Sequence, residues 1–302
     1  MNEQLELAAA AIVRGELVVM PTETVYGLAA DATSDEAVQR IFAAKGRPSD
    51  NPLIVHIARA EDLPLVARDI PDVAWELARR FWPGPLTLVL PKAISVSTFT
   101  TAGLETVAVR VPNHPLAREL CLRSGRPLAA PSANVFTHLS PTRIEHLSPE
   151  IRAASTVILD GGASRVGIES TILSLIGDQP RVLREGQVSR AALEDALGIP
   201  VAVGPVDGPR IAPGQYLRHY SPDTPVVLVD KLTPQQPGLC FGTCQNANQL
   251  IMSYDPAEYA FELYDALFQL DQRKLESIGI EMPPDSPEWA AIRERLHKAA
   301  GR

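Results

Sequence analysis

Residues 20–57 constrain this chain more than any other stretch. A strand-like run over 17–20 stops at Pro21 and gives way to Thr22, Glu23, Thr24, Val25, Tyr26 and Gly27. Thr33-x-x-Glu36 then has the form of a capping box, and Val38, Ile41 and Phe42 supply one apolar helical face. The helix is expected to end near Lys45-Gly46. It delivers Lys45, Arg47 and Asn51 ahead of a second strand, 53–57, that carries His56. Hydroxyls, two cations, an amide and an imidazole at element ends describe a site built on strand and helix termini.

The same alternation of periods continues downstream. Leu5, Ala8, Ala9 and Ile12 place a helix over 3–14, and Pro71 can open another whose Ala74, Leu77, Ala78 and Phe81 face the core. Residues 86–90 read as a strand. In 106–111 the valines 107, 109 and 111 point one way, and Thr106, Ala108 and Arg110 point the other. A helix over 115–124 precedes a short strand, 128–130, which runs into Pro131-Ser132-Ala133-Asn134. Strands at 156–160, 169–176 and 181–184 follow, then a helix over 189–197 capped by Ser189. Strands and helices mix without strict alternation, so the fold class is α/β with a twisted mixed sheet, not a purely parallel one.

With 302 residues the chain is expected to form two domains. Eight of the 22 residues from 204 to 225 are Gly or Pro, which marks a linker. That linker also holds Arg210, Tyr216, Arg218, His219 and Tyr220, unlike a flexible spacer, and is expected to pack on something. Beyond it, strands at 226–229 and 278–281 and helices at 261–270 and 287–300 suggest a small α/β domain. The expected divisions are 1–203, 204–225 and 226–302.

Charge narrows the partners. The net charge is −8, from 28 Lys and Arg against 36 Asp and Glu. Through Pro222 there are 21 basic and 24 acidic residues, with no basic stripe, so direct RNA binding is not expected. Three cysteines, Cys121, Cys240 and Cys244, cannot make a disulfide framework, and Cys240-x-x-x-Cys244 lacks a second ligand pair for zinc. No apolar run approaches membrane length and no charged-then-apolar leader opens the sequence, so no membrane partner and a cytoplasmic location are expected.

No phosphate-binding P-loop, dinucleotide fingerprint or nucleophile elbow is present. Any phosphate would have to be held by side-chain cations and hydroxyls. Lys45 and Arg47 are either a solvated helix end or a cationic fork for a polyphosphate. Arg110, on the polar face of a strand, needs an anion, from the protein or from a ligand. His56 is either a satisfied core imidazole or a ligand contact. Ser132 and Asn134 could be a plain turn, Ser170 an ordinary strand residue, and Arg184 a surface ion-pair partner. Their recurrence at strand ends describes a polar, positive-leaning pocket for an anion or nucleotide.

The motifs PTETVYGL, KGRPSDNPLIVH, TVAVRVPNH, APSAN, SPT, DGG-x4-GIESTI and VLREG occur in an order that resembles the YrdC/Sua5 family. The resemblance covers roughly residues 5–200. The tail, through RIAPGQYLRHYSP, LYDAL and PPDSPEWAAIRERLHKAA, resembles the longer two-domain Sua5 branch, with a domain that looks shortened. It implies a YrdC-like nucleotide-binding domain, a small C-terminal Rossmann-like domain, and the activity of an L-threonylcarbamoyladenylate synthase. Such enzymes are nucleotidyltransferases that condense L-threonine, bicarbonate and ATP, releasing pyrophosphate, and they feed a separate transferase that makes the t6A modification at position 37 of tRNA. By motif position, Lys45, Arg47, Ser132 and Asn134 would form the catalytic tetrad. Arg47, Asn51, Thr106, Ser132, Ser140, Arg184 and His219 would contact ATP or the adenylate. Thr24, His56, Arg110 and Ser170 would hold threonine. Mg2+ would arrive on the triphosphate, with no protein metal site, and His219 and Tyr220 would belong to a lid. Thr137 stands where the family pattern has a glycine, and Ala130 where some members have a hydroxyl residue.

Overall fold

The computed structural model describes residues 2–204 and 219–301. Among these, ten strands form the first sheet: β1 (Val18–Met20), β2 (Gly27–Asp31), β3 (Ile54–His56), β4 (Leu86–Pro91), β5 (Thr106–Arg110), β6 (Leu128–Ala129), β7 (Val157–Ile158), β8 (Thr171–Ser174), β9 (Arg181–Arg184) and β10 (Ala202–Val203). Their order is β10-β9-β8-β4-β5-β3-β6-β2-β1-β7. The β3/β5, β4/β8, β1/β7 and β9/β10 pairs are parallel, and the other neighbours antiparallel. The sheet is mixed, as the irregular succession of strands and helices implies.

Side-chain alternation assigns the two faces. Val19, Leu28, Val55, Leu88, Val107, Val109 and Val111 bury into one core with α2 (Asp35–Lys45) and α3 (Asp72–Phe81). Val18, Met20, Ala29 and Leu128 pack instead with α1 (Asn2–Val13) and α4 (Pro115–Ser124). Ala108 lies opposite the valines that flank it and packs with Ile54, Val89, Ile172 and Leu183. Thr106 and Arg110 share its face by the two-residue period of a strand. Two shorter helices, α5 (Pro149–Ala154) and α6 (Arg190–Leu197), complete this unit, the second capped by Ser189 as expected.

Several expected boundaries move. The cap of α2 is Ser34, whose hydroxyl accepts from the Ala37 amide, because Asp31 already engages the Thr33 amide and hydroxyl at 2.9 and 2.6 Å. Pro71 precedes α3 as its cap instead of opening its first turn. Strands β2 and β10 were not anticipated.

Beyond the linker, β11 (Val226–Val229), β12 (Gly238–Cys240), β13 (Gln249–Ile251) and β14 (Ile278–Glu281) form a parallel sheet in the order β11-β14-β12-β13. They pack with α7 (Pro256–Asp271) and α8 (Ala290–Ala299), a Rossmann-like α/β arrangement. Helix α7 starts five residues before the expected 261 because Asp255 caps it, accepting from the Ala257 and Glu258 amides. The segment 287–300 is a short 3-10 turn followed by α8, not one helix. The core of this unit, with Leu263, Leu267, Ile280, Ile292 and Leu296, also takes in Val25, Leu139, Val166 and Ile168 from the first unit. The two units share apolar packing directly beside Thr24. No helix among the described residues is long and apolar enough to cross a membrane.

Candidate active site

The β3/β5 register sets His56 directly beside Arg110 on parallel strands. Both side chains are buried and both line a cleft of about 560 Å³. Thr24 reaches the same place from the loop after β1, where Thr22 organises the turn by accepting the Thr24 and Val25 amides. The Arg110 guanidinium donates to Thr24 Oγ1 at 2.8 Å and, through Nε, to the Gly84 carbonyl at 3.1 Å. Its Nη2 stands 2.6 Å from a carboxylate oxygen of Glu23, an ion contact without hydrogen-bond alignment. The anion that Arg110 required is therefore a protein carboxylate in this state. The sequence alone assigns Glu23 no role.

Burial, reinforced by the Arg110 charge, pushes the His56 pKa down to about 3, so this imidazole is neutral near pH 7. Its Nδ1 is buried with no partner. Ser170 completes the group, sharing a 2.7 Å bond with Thr87 and accepting from Arg184 at 3.1 Å. Arg184 also donates to the Ser170 carbonyl at 3.0 Å. The chain can bring the start of β8 and the end of β9 this close because residue 186 is glycine: a Cβ there would lie 2.3 Å from the Thr171 amide nitrogen.

Cations face the other end of the cleft. Gly46 ends α2 in the left-handed region at φ 58°, and the chain turns so that Lys45 and Arg47 diverge. Arg47 lines the cleft, tied to the carbonyls of Asn51 and Pro52 at 3.3 and 3.0 Å. Lys45 does not line it, contrary to the expected fork. It is buried behind the wall and donates to the carbonyls of Ser132 and Asn134 at 2.6 and 2.5 Å. Burial, with the Arg47 charge adding to it, holds its pKa well below the ordinary lysine value. Lys45 thus shapes the loop that presents Ser132.

Of the residues expected from sequence, Thr24, Arg47, His56, Arg110, Ser132, Ser170, Arg184 and His219 line one cleft. Lys45, Asn51, Thr106, Asn134 and Ser140 stand outside that lining. The Ser140 hydroxyl donates at 2.5 Å to Oε1 of Glu169, which does line the cleft. Asn51, Thr106 and Asn134 each keep a buried polar atom without a hydrogen-bond partner, as does His219 at Nδ1. The orphaned atoms of His56, Arg110, His219 and Tyr220 sit on residues that line the cleft and point to a polar ligand that satisfies them. His219 and Tyr220 lie against the cleft, whereas Arg210, Tyr216 and Arg218 lie outside the described residues. Burial lowers the His219 pKa to about 3, with Glu169 opposing the shift and Arg47, Lys45 and Arg184 favouring it.

Thr137, in the glycine's place, adopts the glycine's backbone at φ 71°. Its carbonyl accepts the Ser221 amide at 2.9 Å, which fastens the segment after the linker to the Asn134 loop. Glu169 was the other omission. Its only sequence signal is an acid inside a hydroxyl-rich run, GIEST.

Residues 10–186 match the Sua5, YciO and YrdC family model, described as telomere recombination, and residues 188–301 match the threonylcarbamoyl-AMP synthase C-terminal domain. The chain belongs to the Sua5/YrdC family. It is 39% identical to the threonylcarbamoyl-AMP synthase of Pyrococcus abyssi and 40% identical to that of Bacillus subtilis, in each case over 99% of this chain and 94% of the relative. The crystal structure of P. abyssi Sua5 complexed with L-threonine superposes with a TM-score of 0.92 at 39% identity, covering 98% of this chain and 94% of that one. The family models divide the chain near residue 187, while the first sheet continues through β10 at Ala202–Val203.

Proposed function

We infer that this Sua5/YrdC chain is a threonylcarbamoyl-AMP synthase, acting on L-threonine, bicarbonate and ATP. The observation that carries the reading is the pairing, within one cleft, of a carboxylate-binding end with a phosphate-binding end. Arg110 with Thr24, His56 and Ser170 occupies the first, and Arg47 with Arg184 the second. A planar guanidinium suits the threonine carboxylate, which would displace Glu23 from Arg110. The neutral imidazole of His56 can exchange a hydrogen bond with the threonine hydroxyl without adding charge.

Bicarbonate takes up a proton and loses water to give CO2, the unprotonated threonine nitrogen attacks its carbon, and the proton that the nitrogen then releases balances the one taken up. A carbamate oxygen then attacks the α-phosphorus of ATP, the bond to the β-phosphate bridging oxygen breaks, and pyrophosphate departs. The protein need not supply a nucleophile. Its work is to hold carbamate and α-phosphate in line and to place Arg47 and Arg184 against developing charge.

ATP would enter as its Mg2+ complex. Among the described residues no cluster of three His, Cys, Asp or Glu side chains could cage a metal, so the ion would keep its waters and the phosphate oxygens. The product is a mixed anhydride and needs an acceptor amine, which fits onward transfer to adenosine 37 of tRNA by a separate t6A transferase. Purified chain with MgATP, L-threonine and bicarbonate is expected to release pyrophosphate only when all three are present. Release that ignores threonine would overturn the reading.

A further inference from the structure

We propose that Arg295, on helix α8 of the second unit, is a positioning residue for the cleft, so that the active site is assembled from both units. The inference rests on the synthase reading above. The Arg295 side chain has no exposed surface. Its partners outside α8 all line the cleft or adjoin a residue that does. Nε and Nη2 donate to the Glu169 carboxylate and carbonyl at 2.9 and 3.4 Å, next to Ser170. Nη2 also donates to the Glu185 carbonyl at 2.9 Å, next to Arg184. The guanidinium lies 5.1 Å from the centre of the Tyr220 ring, next to His219.

One planar group therefore ties together the start of β8, the end of β9 and the segment returning from the linker. The Glu169 carboxylate extends the link, accepting from Ser140 at 2.5 Å and from Tyr264 on α7 at 3.0 Å. Glu294 adds a parallel strut, accepting the Glu185 amide at 3.0 Å while contacting Arg295 at 3.3 Å. A lysine could reach one of these acceptors but cannot present three directions in one plane. Ser170, assigned to threonine, and Arg184, assigned to ATP, meet in a 3.1 Å hydrogen bond, so loss of Arg295 would affect threonine and ATP together.

The test compares the full chain with Arg295→Met, Arg295→Lys and the charge-neutral pair Glu169→Gln/Arg295→Met. Both single substitutions are expected to raise KM for threonine and for ATP by about tenfold or more, with kcat reduced less, as for lost alignment of binding groups. The neutral pair removes the unpaired buried carboxylate, so it is expected to regain thermal stability while keeping the raised KM values. Added methylguanidine is expected to lower KM in Arg295→Met by refilling the plane. Wild-type KM values in the folded single or paired variants, or KM values that return with stability in the neutral pair, would overturn the proposal. If the unsubstituted chain shows no threonine-dependent pyrophosphate release, the synthase reading itself fails, and this proposal with it.

Discussion

Glu23 and Arg110 face each other at 2.6 Å, both buried, so a substrate carboxylate arriving at Arg110 would have to compete with an internal one. A site with a built-in counter-ion stays stable when empty, at some cost in substrate affinity.

Arg110→Ala is accordingly expected to do two things. It should weaken threonine use by about 2–5 kcal/mol, and it should lower stability by about 3–5 kcal/mol because Glu23 is left buried and unpaired. Glu23→Gln/Arg110→Met separates the two effects. In urea melts the pair should recover most of the stability, while threonine titrations should show no recovery. Unchanged threonine affinity in Arg110→Ala would remove Arg110 from the site.

Lys45 and Arg47 are adjacent cations with different work, and their substitutions should differ in kind. Lys45→Met leaves the buried Asn134 carbonyl without its donor, a loss of about 1–3 kcal/mol, while the Ser132 carbonyl keeps the Asn134 amide. Arg47→Met should raise KM for ATP with a smaller loss of stability. Chemical denaturation paired with ATP kinetics checks this, and equal destabilisation by both would show the distinction to be false.

Thr137→Gly should stabilise the chain. A β-branched residue at φ 71° carries strain of about 1–2 kcal/mol, which exceeds the entropy glycine adds to the unfolded chain. The Ser221 amide bond to the residue 137 carbonyl uses only backbone and should survive. The expected outcome is a gain of about 0.5–1 kcal/mol in a urea melt, with KM for ATP unchanged.

Acid should weaken the fold in two overlapping windows. His56 and His219 both have pKa values near 3 when folded, against 6.5 when free. Between those values the unfolded chain binds more protons than the folded one, so stability rises with pH and falls as pH drops below 6.5. Glu169 acts lower. Burial alone would raise its pKa, but Arg295 and Arg184 outweigh that and hold it at about 2, so its contribution is present above 4.5 and lost as pH falls toward 2. Melting temperatures between pH 5 and 6.5 therefore isolate the histidines, and His56→Gln should reduce the slope by up to about 1.4 kcal/mol per pH unit. An unchanged slope would mean that His56 is charged in the fold.

His219→Ala/Tyr220→Ala should speed dissociation of bound adenylate if these residues close the cleft. Stopped-flow release of a fluorescent adenylate measures it, and equal off-rates would leave them without a closing role.

Much of the cleft was legible because its residues sit at the ends of strongly patterned elements. The alternation of 106–111 placed Arg110 on the face opposite Val107, Val109 and Val111, where the structure has it. What stayed hidden was pairing over long separations. Glu169 meets Arg295 across 126 residues, and nothing local distinguishes either from a solvated charge. The burial of Lys45 is hidden for a related reason: a helix-end lysine gives no sign that two carbonyls, contributed about ninety residues later, will close over it. Strands β12 and β13 have three residues each, too few for a period to emerge. The shift of the α2 cap from Thr33 to Ser34 turned on Asp31, at the end of a strand the pattern did not reveal.

Val25 belongs to the apolar core of the second unit, while its neighbour Thr24 holds Arg110. Amide hydrogens around the cleft and those of α7 and α8 should thus exchange with solvent through one common opening. Two recognisable sequence families would then be a single thermodynamic object, and damage to the apolar packing of the second would first be measured as poor affinity for an amino acid that it never touches.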